Sequence, residues 1–135
     1  MLIIFVERGF GKMFEVFVKT HFSAAHRLVN YQGDCAHLHG HNWDVLVTLG
    51  TADLDELGLA VDFRELKQAL NRLLGELDHT ELNQHPELGV VNPTCEIVAR
   101  FLYRRLAAHF TGAHKARVLR VQVSETPGVG VIYYE

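Results

Sequence analysis

Cysteine and proline are scarce in this chain, no basic excess is present, and no long apolar run occurs. The two cysteines, Cys35 and Cys95, stand 60 positions apart in 135 residues. One such pair is no disulfide framework, so two free thiols in a reducing compartment are expected. Lysine and arginine total 13 against 16 aspartates and glutamates, a net charge of −3. That balance argues against a nucleic-acid partner, which asks for a basic face. It leaves room for a phosphorylated small molecule, because a few local basic groups bind one. The longest apolar opening, Met1 to Val6, runs straight into Glu7 and Arg8. It is too short for a signal peptide core or a membrane span, so a cytoplasmic protein with no membrane partner is expected. No repeat or linker divides the chain, and a single domain over residues 1–135 follows. Residues 1–12 read as a possible N-terminal extension, with Met13 as an alternative start.

Histidine is plentiful by contrast, with nine residues. Two of them form His39-Gly40-His41, which runs into Asn42-Trp43-Asp44-Val45-Leu46-Val47-Thr48-Leu49. The second part is rich in β-branched and aromatic residues and reads as a strand. Residues two apart on a strand share a face, so His39 and His41 end an apolar row of Trp43, Val45, Val47 and Leu49. An earlier row, Phe14, Val16, Val18, Thr20, Phe22 and Ala24, ends in His26. A bulge near Ser23-Ala24-Ala25 would break that parity. Paired antiparallel, the two strands bring the ends carrying His26 and His39/His41 together beside the intervening loop.

Asp62-Phe63-Arg64-Glu65 has the logic of a capping box. Phe63, Leu66, Leu70, Leu73, Leu74 and Leu77 follow at helical spacing, predicting a helix over 62–77. A second helix starts at Thr94 or Asn92, with Pro93 in its first turn, and Gly112 is its expected stop. Arg117 to Glu125 alternates again, with Leu119, Val121, Val123 and Glu125 on one face. Thr126-Pro127-Gly128 is a turn, and Val129 to Tyr134 the last strand. The order β-β-α-α-β-β predicts an α+β domain, with two helices on one face of an antiparallel sheet. Its open edges are places for oligomerisation.

His26, His39 and His41 are candidate metal ligands, three protein donors and an open position being the habit of catalytic zinc. The alternatives are packed or surface histidines, or a closed structural site that also uses the cysteines. Glu125 ends an apolar row and needs a partner that donates two hydrogen bonds, either an arginine or a ligand with an amidine-like edge. Asp78-His79 joins a carboxylate to an imidazole, an acid/base pair or a surface pair. Cys35 lies four residues before His39; beside a cation a thiol is favoured as thiolate, and otherwise it is a buried thiol. His85, His109 and His114 read as loop or helix-surface residues, and His37 has no assigned role.

The chain resembles the family of 6-pyruvoyl-tetrahydropterin and 6-carboxy-tetrahydropterin synthases from Met13 onward. The resemblance rests on Phe22-Ser23-Ala24-Ala25-His26-Arg27-Leu28, Cys35-x-x-Leu38-His39-Gly40-His41 and Val61-Asp62-Phe63-x-x-Leu66-Lys67. It continues through Leu77-Asp78-His79-x-x-Leu82-Asn83, Asn92-Pro93-Thr94-x-Glu96 and Val123-x-Glu125-Thr126. It implies zinc on His26, His39 and His41, with Cys35 as catalytic thiol and Asp78-His79 as its acid/base partners. It implies Glu125 as the anchor for a pterin's amino-pyrimidinone edge. The implied fold is the tunnelling fold (T-fold), whose subunits join through their sheets into barrels, usually hexamers with sites between subunits. The Cys-x3-His-x-His spacing is similar to the queuosine-pathway branch. That branch implies a 6-carboxy-5,6,7,8-tetrahydropterin synthase, a lyase acting on 7,8-dihydroneopterin triphosphate. The sister 6-pyruvoyl activity and a non-catalytic zinc- and pterin-binding T-fold protein are the competing readings. Arg27, next to a ligand, is the expected phosphate contact, ahead of Lys19. Cys95 stands where relatives often have serine.

Overall fold

Alternating apolar and polar residues build the two longest strands, β1 (Phe14–His26) and β2 (His39–Thr51). The computed structural model describes residues 11–135; the possible extension at 1–12 lies outside them save for Gly11 and Lys12. β1 and β2 pair antiparallel without interruption, from Phe14 opposite Thr51 to His26 opposite His39. The parity of β1 therefore survives, and no bulge occurs at Ser23-Ala24-Ala25. In this register even positions of β1 share a face with odd positions of β2. Phe22, Ala24, Trp43, Val45, Val47 and Leu49 are all buried on that face.

Helix α1 (Phe63–Leu74) is shorter than its predicted 62–77. Asp62 caps it by accepting from the Arg64 N–H, but Glu65 does not close a capping box. Its carboxylate turns instead to His109 and His114. Leu77 lies beyond the helix yet is fully buried, because tight turns after Leu74 fold the chain back under the helix. Helix α2 (Cys95–His109) is capped by Thr94, whose hydroxyl accepts from the Ile97 N–H. Pro93 thus precedes the helix rather than lying in its first turn. Its carbonyl is left for another partner.

A short strand, β3 (Thr80–Glu81), lies between the helices in sequence and pairs parallel to β1 at Ala24 and Ala25. With β4 (Arg117–Thr126) and β5 (Val129–Tyr133) the sheet has, among the described residues, five strands in the order β3-β1-β2-β4-β5. It is mixed rather than wholly antiparallel, and one strand richer than the pattern predicted. Two residues are too few for a period to register in sequence. The helices contribute Leu66, Leu70, Leu102 and Leu106 to the layer packed on the sheet. The register of β4 shifts beside Thr48 and Leu49, so that Val118 rather than Leu119 opposes Leu49. This bulge puts Val118 in the core, correcting the predicted place of Leu119. The Leu119 side chain lies over Gly50, where a Cβ would come within 2.5 Å of it.

Candidate metal centre and active site

The long β1–β2 pairing places His26 directly opposite His39, with His41 opposite Ala24 on the same face. The three apolar rows converge at this end of the sheet. Trp43 is the floor: its indole N–H donates to the Ala24 carbonyl at 3.1 Å, and its ring meets the His26 ring edge-on at 4.7 Å. Candidate ligand atoms of His26, His39 and His41 all lie within 4.8 Å of one another.

Backbone carbonyls aim two of the rings. His26 Nδ1 is 2.8 Å from the Pro93 carbonyl oxygen, and His39 Nδ1 is 2.6 Å from that of His37. An imidazole can meet a carbonyl only by donating, so Nδ1 carries the proton and Nε2 keeps its lone pair. Nε2 of His26 and of His41 is buried with no hydrogen-bond partner. Burial, the main cause, pushes both imidazoles below the ordinary histidine range, which keeps them neutral. Buried nitrogens of this kind are costly unless something binds them. Neutral converging lone pairs suit a borderline cation such as a divalent transition metal.

Glu125 extends the β4 row beyond Val123. Its Oε2 lies 3.4 Å from His26 Nε2 and 3.9 Å from His41 Nε2, without hydrogen-bond geometry to either. No arginine pairs with it among the described residues. Cys35 lines a cavity of about 360 Å³ together with His26, Thr94, Cys95, Glu96 and Glu125. That volume lies within the usual range for small-molecule sites. The Cys35 carbonyl accepts from the Leu28 N–H at 2.7 Å, tying the thiol's segment back to the end of β1. Burial, then the nearby Glu125, pushes the Cys95 thiol up to about 11.

Asp78 and His79 stand elsewhere. Asp78 Oδ1 accepts from the Ser23 N–H at 2.9 Å, and Oδ2 lies 2.9 Å from His79 Nδ1. These two contacts, the Ser23 N–H first, hold the Asp78 carboxyl below its ordinary range. His79 adopts a left-handed backbone, φ 58°, while its N–H donates to the Ser23 carbonyl. Such a conformation in a non-glycine residue costs about 1–2 kcal/mol and collects at functional sites. The His79 side chain is 81% exposed. It lines an open groove with His41, Asn42 and Thr80, not the cavity that holds Cys35.

Arg27 is exposed and is not among the cavity's lining residues. Lys19 lies farther off, near Asp44 and Ser124. Asn83 had no role assigned from sequence, and Asn92 is not the helix start offered for it, since Thr94 caps α2. Asn83 accepts from the Arg27 N–H and donates to the Arg27 carbonyl; Asn92 does the same for Val29. Together they clamp the segment that leaves His26. Only their place in the Leu82-Asn83 and Asn92-Pro93 motifs pointed to them. His85 is a hub rather than a surface residue, its side chain 10% exposed, packed on Phe101 and accepting the Glu87 and Leu88 N–H groups.

The sequence profile of 6-pyruvoyl tetrahydropterin synthase matches residues 15–135. The chain belongs to that family. Among 6-pyruvoyl tetrahydropterin synthase relatives, the 6-carboxy-5,6,7,8-tetrahydropterin synthase of Bacillus subtilis is 34% identical over 126 residues, covering 89% of this chain and 84% of its own. The enzyme of the same name from Synechocystis is 34% identical over 122 residues, covering 83% and 90%. The structure of Caenorhabditis elegans 6-pyruvoyl tetrahydropterin synthase superposes with a TM-score of 0.80 at 25% identity, covering 92% of this chain and 96% of that one. The family's α+β T-fold subunit is thus the fold of this chain. No helix among the described residues is long and apolar enough to cross a membrane.

Proposed function

We propose that this protein is a zinc-dependent 6-carboxy-5,6,7,8-tetrahydropterin synthase, a carbon–carbon lyase that converts 7,8-dihydroneopterin triphosphate to 6-carboxytetrahydropterin, acetaldehyde and triphosphate in queuosine biosynthesis. The observation that carries this reading is the convergence of His26, His39 and His41, two of them with orphaned Nε2 atoms, beside a cavity lined by Cys35 and Glu125. Relatives at 34% identity bear the 6-carboxy name, which supports this product over the 6-pyruvoyl one.

His26, His39 and His41 hold the zinc, which when bound supplies Lewis-acid polarisation of the substrate's side-chain oxygens. Glu125 accepts two hydrogen bonds from the pterin's amino-pyrimidinone edge; this charge-assisted pairing suits an acceptor that no arginine among the described residues occupies. Cys35, as thiolate, takes a proton from the side chain. His79, held through Nδ1 by Asp78, presents Nε2 for proton transfer on the other side. Its exposure, and its absence from the cavity of Cys35, support a role toward the Cys35 of a neighbouring subunit. Exposed Phe14, Phe17, Val129 and Ile132 on β1 and the edge strand β5 support assembly through the sheets into a hexameric barrel, in the cytoplasm. Arg27 contacts the triphosphate.

Product analysis on 7,8-dihydroneopterin triphosphate with purified zinc-loaded protein is the test. Carboxytetrahydropterin and acetaldehyde are expected; pyruvoyltetrahydropterin alone would move the protein to the sister activity. Binding of zinc and pterin without turnover would make it a binding protein.

A further inference from the structure

Three more metal-ligating side chains converge at the far end of α2. Glu65 sits in the first turn of α1, His109 in the last turn of α2, and His114 in the loop that follows. α2 has 15 residues, so its two ends lie about 22 Å apart, and this cluster is separate from the site beside Thr94. Its candidate ligand atoms all lie within 4.8 Å of one another. Oε1 of Glu65 is 3.4 Å from His109 Nε2 and 2.7 Å from His114 Nε2.

Both rings are seated. The buried ring of Phe110 meets His109 edge-on at 4.7 Å and His114 at 5.3 Å. His114 Nδ1 donates to the Thr111 carbonyl at 3.1 Å and Nε2 to the Glu65 carboxylate at 2.7 Å. The Glu65 contact, then the Thr111 carbonyl, push this imidazole above the ordinary histidine range, so a metal ion would take the place of the Nε2 proton. A backbone carbonyl on the second nitrogen is how ligating histidines are commonly oriented. Tetrahedral zinc, with bonds of about 2.0–2.1 Å, sets its ligand atoms about 3.3 Å apart. The Glu65–His109 separation already matches this, the Glu65–His114 contact needs to open by well under an ångström, and the two imidazole nitrogens lie within 4.8 Å of each other and need to close to it. All three side chains are between 32% and 41% exposed, so a cation and its water can reach them. Arg117 bonds the backbone carbonyls of His114 and Ala116 rather than the carboxylate of Glu65.

We propose that Glu65, His109 and His114 form a second divalent-metal site that takes zinc with two imidazoles, one carboxylate and a water. The ion would tie the start of α1 to the end of α2, so it binds the native chain and not the unfolded one and raises thermal stability by mass action.

The test is zinc titration of the full-length protein, metal counted after gel filtration, beside H109A, H114A and E65Q. Wild type should hold two equivalents per chain, and each variant one. A single-site background, H39A, should still gain melting temperature on zinc addition, and H39A/H109A should gain none. One equivalent in wild type, or two in all three variants, overturns the proposal. If an alanine variant is misfolded in EDTA by circular dichroism, E65Q, which keeps shape and removes the charge, decides. Lyase activity at saturating zinc should be the same in E65Q and wild type, which separates this site from the first.

Discussion

Removing the Asn83 clamp should destabilise the chain by an amount the geometry sets. The Asn83 amide makes two hydrogen bonds to the backbone of Arg27, at 2.9 and 3.0 Å. Each is worth about 0.5–1.5 kcal/mol net, and exposure to water puts both in the lower half of that range. Asn83→Ala should therefore cost about 1–2 kcal/mol, or roughly 3–7 °C in Tm for a domain of this size. Asn92→Ala should cost a similar amount, because it pairs with Val29 in the same way. The double variant should cost less than the sum, since both clamps hold one segment and its fraying after the first loss weakens the second. Asn83→Asp keeps the acceptor, loses the donor and sets a carboxylate against the Arg27 carbonyl, so it should be no better than alanine. Activity should fall further than zinc affinity. His26 is held within β1, whereas Cys35 depends on the clamped segment through the Leu28 N–H. The assays are thermal melts of zinc-loaded protein and kcat/KM. A Tm unchanged within 1 °C in both single variants, or a double variant worse than additive, would refute the clamp.

His39→Ala should lose metal from the first site, seen by metal analysis; full retention sinks the three-histidine assignment. Cys35→Ala should abolish turnover while pterin binding persists, and unchanged activity removes the thiol from the mechanism. In metal-free Cys35→Ala, Cys95 should alkylate with iodoacetamide at pH 8 about two orders of magnitude more slowly than a free thiol, since its pKa is pushed up to about 11; labelling at the free-thiol rate contradicts that. Asp78 is held below the ordinary carboxylate range, so its stabilisation is present above that range and lost as pH falls through the depressed value. The stability gap between wild type and Asp78→Asn should be full at neutral pH and close in acid, and a gap that widens in acid would contradict it. Leu102, fully buried on α2, should cost about 2–5 kcal/mol as alanine, read by urea denaturation.

Period-2 and helical spacing were enough to predict the long strands, both helices and the shared face of His39, His41 and the Trp43 row. These features are local: side-chain alternation along one strand follows from backbone geometry alone. The same alternation placed His26 and Glu125 at row ends. Whether those ends meet depends on strand register, and only the uninterrupted pairing of β1 with β2 sets His26 opposite His39. Leu119 was misread because one extra residue in a bulge flips every later position. β3 was missed because its pairing with β1 is a tertiary contact between two residues with no pattern of their own. The roles of Pro93, Asn83 and Asn92 depend on atoms more than 50 positions away, beyond any spacing rule. The cluster of Glu65, His109 and His114 was hidden for the same reason. What the chain determined by itself is the set of donors and the faces they occupy. What the tertiary structure decided is which lone pairs face one another, because that depends on register, bulges and long-range hydrogen bonds.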